Sequence, residues 1–257
     1  MLLSLLKQIV ASRTNDGGKA AVTKNRCPLN LDSHGKQVPL DEVQEIIELP
    51  EFDAKSAKNQ QDPGTVKIPK NVVDELHGLV SGIAIMYRNN PFHNFSHASH
   101  VVMSVIKLMS RIVAPSDLDE LDHDKLHDHT YGITSDPLTQ FACAFSALIH
   151  DVDHTGVSNA QLIKENNPLC SVYRNRSVAE QNSLELSWEL LMSEDYCSLR
   201  ELLFPTQKDL SRFRQLVVNV SGIRHRFLVL SVLPQGNSNS STLLIRYECS
   251  LFWPRIL

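Results

Sequence analysis

Paired cysteines are missing from this sequence, and so is the Cys-x-x-Cys spacing of thiolate metal sites. The five cysteines are Cys27, Cys143, Cys170, Cys197 and Cys249, an odd number spread widely along the chain. Neither a disulfide framework nor a thiolate zinc site fits this spacing. We therefore expect a reducing, cytoplasmic location.

A basic field and a long apolar run are also missing. The net charge of -4 and the pI near 6.2 argue against nucleic-acid binding, which favours clustered positive charge. No stretch reaches the length of a membrane span. The opening segment MLLSLLKQIVASR lacks a basic start and a clear cleavage site, so we expect a helix there and not a signal peptide.

Strand signals are scarce before residue 220, whereas helix signals recur. Apolar residues in IPKNVVDELHGLVSGIAIMYRNN (68–90) have helical spacing, and a second helix is predicted in NFSHASHVVMSVIKLMSRIVA (94–114). A third begins at SDPLTQFACAFSALIH, where Ser135 or Asp136 can cap the helix and Pro137 suits its first turn. Further helices are predicted from Ser158, Ser177 and Thr206. The predicted fold class is all-α.

Three parts are predicted along the chain. Residues 1–38 form a mobile lead-in, which is polar and contains glycine beyond its apolar start. Residues 39–220 form the helical domain, beginning with a short helix at PLDEVQEIIEL. Residues 221–257 contain one acidic residue and a Gly/Asn/Ser cluster between two β-prone runs. We expect this tail to be irregular and unrelated to the helical domain.

Charged and imidazole groups end the most apolar predicted helix, in FSALIHDVDHTGVSN. The run from Phe145 to Ile149 stops at His150, Asp151, Asp153 and His154. Burial of such groups costs free energy unless they are paired or bound to a metal. This segment therefore indicates a metal site.

A second group of imidazoles lies upstream, in NPFHNFSHASHV. His93, His97 and His100 stand at i, i+4 and i+7, so they share one face if the segment is helical. Imidazole and carboxylate together suit zinc, iron or manganese, and a bridging carboxylate lets a harder ion such as magnesium bind alongside. A single histidine on a helix more often has a packing role, but two such clusters favour a metal centre.

Two other acidic or His-rich segments have more ordinary interpretations. SVAE, from Ser177 to Glu180, has the spacing of a capping box, and we favour that role for Glu180 over one in a site. The run LDHDKLHDHT (121–130) is polar throughout and is predicted to be a solvated loop.

Three segments together resemble the class I 3′,5′-cyclic nucleotide phosphodiesterase catalytic domain, within the metal-dependent phosphohydrolases named for their His-Asp dyad. They are NPFHNFSHASHV, ALIHDVDHTGVSNAQLI and SVAEQNSLELSWELL. The resemblance runs from about Leu40 to about Val218. It implies an all-helical fold and hydrolysis of cyclic AMP or cyclic GMP to the 5′-monophosphate, with Zn²⁺ and Mg²⁺ (or Mn²⁺) as cofactors.

The resemblance also implies a role for individual residues at the metal centre. His93 is expected to be the general acid for the departing 3′ oxygen. The first metal, zinc, is expected to bind His97, His150 and Asp151, and Asp151 bridges to the second metal, magnesium. His154 contacts phosphate or metal-bound water, and Glu180 contacts water on the second metal.

The sequence departs from the family pattern in three places. The family usually has Tyr where this chain has Phe92. In the family a downstream Asp completes the zinc site and a later Gln grips the purine, but after Asp153 this chain has only Asp195 and Asp209. Asp209, in TQKD, fits a helix start instead. We therefore expect a C-terminally incomplete domain whose cyclic nucleotide hydrolysis is lost or strongly reduced.

Two alternative functions stay open on the sequence. Beside a cyclic nucleotide phosphodiesterase, they are a catalytically inactive helical remnant that binds metal or a partner, and another nucleotide phosphohydrolase of the His-Asp group. His93 argues against the second, since general-acid help is needed where an alkoxide leaves.

Overall fold

A computed structural model describes residues 1–13, 62–113, 133 and 135–221. Helices are the only regular elements of these residues, which confirms the all-α fold class. The predicted helix at PLDEVQEIIEL, the His-rich run 121–130 and the tail from residue 222 lie outside the described residues, so what was expected of them stays a prediction.

The helices are numbered here in chain order within the described ranges. They are α1 (Leu2–Arg13), α2 (Lys70–Met86), α3 (Phe95–Val113), α4 (Pro137–Ile149), α5 (Asn159–Lys164), α6 (Pro168–Val172), α7 (Val178–Leu191), α8 (Cys197–Leu203) and α9 (Gln207–Val220), with a 3₁₀ turn at Glu194–Tyr196 before α8. The predicted helices within the described residues correspond to α1, α2, α3, α4, α5, α7 and α9. Helices α6 and α8 were not predicted, because five to seven residues give too few turns for a period to show.

Helix α4 is the centre of the molecule, with α1, α3, α7 and α9 packed around it. Every residue from Phe141 to Ile149 is buried, as expected for a helix that is apolar on all sides. Asp136 caps it, accepting hydrogen bonds from the amides of Leu138 and Thr139 at 3.2 Å. Burial of α4 on all sides fixes the position of whatever follows its last turn.

Helix α1 packs on the same core, which corrects part of the predicted lead-in. Leu5, Leu6 and Ile9 are buried in the main hydrophobic cluster. Arg13 donates to two main-chain carbonyls at the end of α8, at 2.8 and 2.9 Å. The expectation of a mobile lead-in is therefore wrong for residues 2–13, because their apolar face is needed to cover α4; residues 14–38 lie outside the described part.

Helix α9 begins where the sequence predicted a helix start, and it does so with a capping box that was not predicted. The Thr206 hydroxyl accepts from the Asp209 amide at 3.1 Å, and the Asp209 carboxylate accepts from the Thr206 amide at 3.2 Å. Further along, the Phe213 ring lies in the core beside Phe145 of α4, with ring centroids 5.7 Å apart. The helix start is explained without assigning Asp209 to a metal.

Candidate metal centre

The two His-rich segments meet at the carboxyl-terminal end of α4. His150 and Asp151 follow its last residue, while His97 lies in the first turn of α3 and His93 just before that helix. One ligand atom from each of His97, His150 and Asp151 lies within 4.8 Å of the others, and the same holds for His93, Asp151 and His154. The fold therefore brings together residues from two distant parts of the sequence.

Asp151 is the residue that both groups share. Its Oδ2 lies 2.8 Å from His93 Nδ1, 3.1 Å from His150 Nε2 and 3.9 Å from His97 Nε2. Burial by itself would raise the pKa of the Asp151 carboxyl, but hydrogen bonds from His150 and His93 outweigh it and lower the pKa well below its usual value. The carboxylate is therefore held in its charged form inside the protein.

The His150 ring shows how well a cation fits this arrangement. Its Nδ1 lies 2.9 Å from the carbonyl of Ala147, which can only accept, so Nδ1 carries a proton. A proton on Nε2 as well makes the ring a cation that donates to Asp151, whereas without that proton Nε2 has a lone pair facing the Asp151 carboxylate. Two electron-rich atoms so close need a proton or a metal cation between them, and the chemistry of the donor set fits a divalent metal.

The surroundings of His97 favour the neutral form of its ring. Burial is the main cause that lowers the pKa of its ring, assisted by the nearby His150. A neutral imidazole is the form that binds metal. The His97 and His150 ring centroids are 5.4 Å apart, so one ion can reach both.

His93 and His154 stack on each other beside Asp151, with ring centroids 3.8 Å apart. Because a carboxylate only accepts, His93 donates its Nδ1 hydrogen to Asp151, which directs its Nε2 to the other side of the ring. The amide of Gly156 donates to His154 Nδ1 at 3.0 Å, so a neutral His154 carries its proton on Nε2. His93 Nε2 can exchange a proton, and His154 Nε2 can donate a hydrogen bond.

The prediction that His93, His97 and His100 share one helix face is only partly correct. Helix α3 starts at Phe95, so His93 comes from the bend before it. His100 is exposed and belongs to neither cluster of ligand atoms within the described residues. His93 therefore contacts Asp151 from the segment before the helix and not from the helix face.

Phe92, where the resembled family has Tyr, lies over the cluster. Its ring centroid is 4.4 Å from that of His97 and 5.1 Å from that of His93, and 43% of the residue is exposed. An aromatic face is thus presented to solvent at the edge of the site.

The predicted capping box at the start of α7 is wrong. Ser177 has left-handed backbone angles, φ 39° and ψ 51°, and its side chain makes no capping hydrogen bond. Asn159 of α5 takes over that role: its Oδ1 accepts from the Ala179 amide at 2.9 Å, and its Nδ2 donates to Glu180 Oε2 at 2.8 Å. Glu180 is therefore held by a neighbouring helix, and it belongs to neither ligand cluster of the described residues.

Two asparagines that position the first His-rich segment were missed. Asn94 accepts from the His97 amide at 3.0 Å and donates to the Asn90 carbonyl at 2.8 Å. Asn90 in turn donates to the carbonyl of His154 at 2.5 Å, which ties both segments together. Asn94 precedes a predicted helix and could have been identified as its N-cap; the contact of Asn90 is long-range and has no local signal.

Tyr87 anchors the end of α2 to the end of α4. Its hydroxyl donates to the Leu148 carbonyl at 2.7 Å, and its ring meets Phe95 edge-on at 5.8 Å. Burial raises the pKa of this phenol far above its usual value, so it remains a donor. Tyr87 thus joins the end of α2 to the end of α4 and to the start of α3.

The two aspartates after Asp153 do not complete either cluster among the described residues. Asp195 is exposed in the 3₁₀ turn, and Asp209 caps α9. In this part of the chain, His97, His150 and Asp151 offer one metal three ligand atoms.

The sequence matches the family model described as 3′5′-cyclic nucleotide phosphodiesterase over residues 92–221, about half of the chain. The chain belongs to this family. The matched range contains all the residues of the two ligand clusters and runs to the end of α9. A His-Asp cluster able to hold divalent metal is thus the centre of a phosphodiesterase-family domain.

Individual relatives agree with this assignment. A probable 3′,5′-cyclic-AMP phosphodiesterase, pde-4, of Caenorhabditis elegans is 33% identical over 135 residues, covering 52% of this chain and 17% of the relative. A human dual specificity calcium/calmodulin-dependent 3′,5′-cyclic nucleotide phosphodiesterase 1C is 29% identical over 156 residues, covering 60% of this chain and 19% of the relative. The chain spans about a fifth of the length of these relatives.

Solved structures also show a similarity. The phosphodiesterase domain of the RhoPDE fusion protein from the choanoflagellate Salpingoeca rosetta is 26% identical, with a TM-score of 0.46, covering 60% of this chain and 41% of that one. Separately, among the described helices none has the length and apolar character needed to cross a membrane.

Proposed function

We propose that this site hydrolyses 3′,5′-cyclic AMP, cyclic GMP or both to the 5′-monophosphate. The observation that carries the proposal is the shared Asp151 Oδ2, which lies 2.8 Å from His93 Nδ1, 3.1 Å from His150 Nε2 and 3.9 Å from His97 Nε2. Family membership supplies the class of substrate. Signal transduction is the process in which such hydrolysis acts.

His97, His150 and Asp151 would hold the first metal, Zn²⁺, and Asp151 would bridge to the second, Mg²⁺ or Mn²⁺. Such a pair of ions supplies an activated water and stabilises the charge that develops on the phosphoryl group. Glu180, fixed by Asn159, would bind water on the second metal. Three protein ligands with an open position are typical of a catalytic zinc.

His93 is the proposed general acid for the leaving 3′ oxygen. Its Nδ1 hydrogen bond to Asp151 sets the ring orientation and stabilises the protonated imidazole, leaving Nε2 to deliver the proton. His154 would donate from Nε2 to a phosphate oxygen or to water, since its Nδ1 accepts from Gly156.

The cytoplasm is the proposed location. Among the described residues Cys143, Cys170 and Cys197 are free thiols, which suits a reducing compartment.

Metal binding is the first test, measured by titrating metal-free protein with Co²⁺ or Zn²⁺. We expect His150→Ala to weaken binding at least tenfold because a ligand is lost, while Asp209→Ala, whose capping partners lie outside the cluster, binds like the wild type. Equal affinity of the wild type and His150→Ala would overturn the ligand assignment.

Turnover of cyclic AMP and cyclic GMP with Zn²⁺ and Mg²⁺ is the second test. Without the family's downstream Asp and Gln we expect rates several orders of magnitude below those of a complete domain, on the scale of losing one member of a cooperative catalytic set. Fusing a complete family C-terminus to residue 220 should restore turnover, and His93→Ala should abolish it. Restored turnover that is independent of His93 would rule out its role as the acid.

A further inference from the structure

We propose that Asp153 is a positioning residue of the metal centre, and that its carboxylate clamps the loop carrying Asp151 and His154 between α2 and α7. The proposal rests on the proposed function, because it is the metal centre that the loop presents. Asp153 stands between two residues with assigned roles and has none itself.

The carboxylate of Asp153 is occupied by groups from two other elements. Arg88, just after α2, donates from Nε to Oδ1 at 2.6 Å, and Asn182 of α7 donates from Nδ2 to Oδ2 at 3.1 Å. The Asp153 amide donates to the Met86 carbonyl at 3.1 Å. Both oxygens thus have partners outside the cluster, and Asp153 belongs to neither set of ligand atoms.

The backbone of Asp153 also indicates a specific requirement. Its φ is +57°, in the left-handed region that costs a non-glycine residue about 1 kcal/mol or more. Glycine would occupy this position without strain, but it would provide no carboxylate. A strained aspartate whose oxygens both have partners fits a role for the side chain.

Neighbouring residues of the loop are held from the same two sides. The Ser183 hydroxyl of α7 donates to the Val152 carbonyl at 2.6 Å, and Asn90, after α2, donates to the His154 carbonyl at 2.5 Å. Asp153 lies between these contacts and is the one that joins both sides. Its loss should let the loop move and spread the ligand atoms of Asp151 and His154.

The contact of Asp153 with buried Asn182 should contribute more to holding the loop than its contact with exposed Arg88. Arg88 has half of its side chain exposed, and such ion pairs contribute little. Asn182 is buried, so its hydrogen bond is shielded from water. Asn182→Leu is therefore the informative neutral variant, since it removes the donor and changes no charge.

The test uses the full chain and compares Asp153→Ala, Asp153→Asn and Asn182→Leu with the wild type. Co²⁺ affinity is measured on metal-free protein, and hydrogen exchange of the peptide 149–156 is measured without metal. We expect Asp153→Ala to lose tenfold to a hundredfold in affinity, the usual cost of removing a group that orients metal ligands. Asn182→Leu should lose less, and Asp153→Asn should recover part of the loss, because Asn tolerates the left-handed backbone and keeps one acceptor.

Asp209→Ala is the matched control, because it removes a helix cap whose partners are outside the cluster. It should lower the melting temperature and leave Co²⁺ affinity and exchange of 149–156 unchanged. If its affinity falls in proportion to its stability, as for Asp153→Ala, the clamp is refuted in favour of a general folding effect.

Two further results separate the remaining possibilities. If Asp153→Ala and Asp153→Asn lose affinity equally while Asn182→Leu binds normally, Asp153 is a ligand and the proposal is wrong. If the wild type binds no Co²⁺, the proposed metal centre fails, and hydrogen exchange alone decides the clamp: unchanged exchange of 149–156 in Asp153→Ala and Asn182→Leu refutes it.

Discussion

Replacing Asp136 by Ala should destabilise the protein more than almost any other change to a polar residue. Its carboxylate caps α4 through the amides of Leu138 and Thr139, accepts from the Thr139 hydroxyl at 2.5 Å, and pairs with Arg212 of α9. One side chain thus joins the start of the central helix to the helix packed against it.

The expected loss can be worked out from these contacts. Loss of an N-cap costs about 1 kcal/mol, and an unpaired buried charge costs about 3–5 kcal/mol. Arg212 keeps 14% of its side chain exposed, and the two contributions share one group, so they do not add fully. We expect Asp136→Ala to lower the free energy of unfolding by about 3–4 kcal/mol.

Urea denaturation followed by far-ultraviolet circular dichroism measures this loss. Asp136→Asn keeps an acceptor for the cap and should lose about 2 kcal/mol, the scale of a hydrogen bond to a charged group. Arg212→Met should lose less, since Asp136 keeps its three donors from α4. A loss below about 1 kcal/mol for Asp136→Ala, or a larger loss for Arg212→Met, would refute this reasoning.

Two further predictions concern the loop after α4 and α4 itself. Gly156→Ala should lower the free energy of unfolding by about 1–3 kcal/mol, because φ is +86° and the added Cβ would lie 2.9 Å from Asn90 Oδ1. Its control in the same urea assay is Gly78→Ala, inside α2 with ordinary contacts, which should be neutral or stabilising by up to about 1 kcal/mol; equal losses of stability in the two variants would contradict the argument. Burial raises the pKa of the Cys143 thiol to about 12, so iodoacetamide at neutral pH should label it only as fast as the protein opens, and mass spectrometry showing labelling at the rate of a free thiol would contradict this.

Local sequence patterns were sufficient for the longer helices and their caps. Apolar spacing located α2, the residues before Pro137 identified the cap of α4, and TQKD identified the start of α9. The same reasoning failed at Ser177, which has the right spacing to Glu180 for a capping box but has left-handed backbone angles that do not allow one. A capping box needs an extended residue at its first position, and that depends on how the preceding loop packs.

The candidate site was predictable in its residues and not in its supports. The two histidine-containing groups stand out in the sequence. One follows the apolar run from Phe145 to Ile149, and the other has three histidines at helical spacing. Asn90 and Asn182 do not stand out, since their amides form contacts across 64 and 29 positions without any periodic pattern around them. The resemblance to a family supplied the roles; the hydrogen bonds that fix each ring came only from the structure.

The position of the site at the end of α4 connects folding with function. The last carbonyls of a helix lack partners within it, and the helix end carries partial negative charge. His150 satisfies one of them, at Ala147, with its Nδ1 hydrogen, and this bond leaves its Nε2 facing Asp151. A cation held there also interacts favourably with the helix end. His150 therefore has two effects at the end of the apolar helix: it satisfies a helix-end carbonyl, and that hydrogen bond orients it within a cluster that could hold a metal ion.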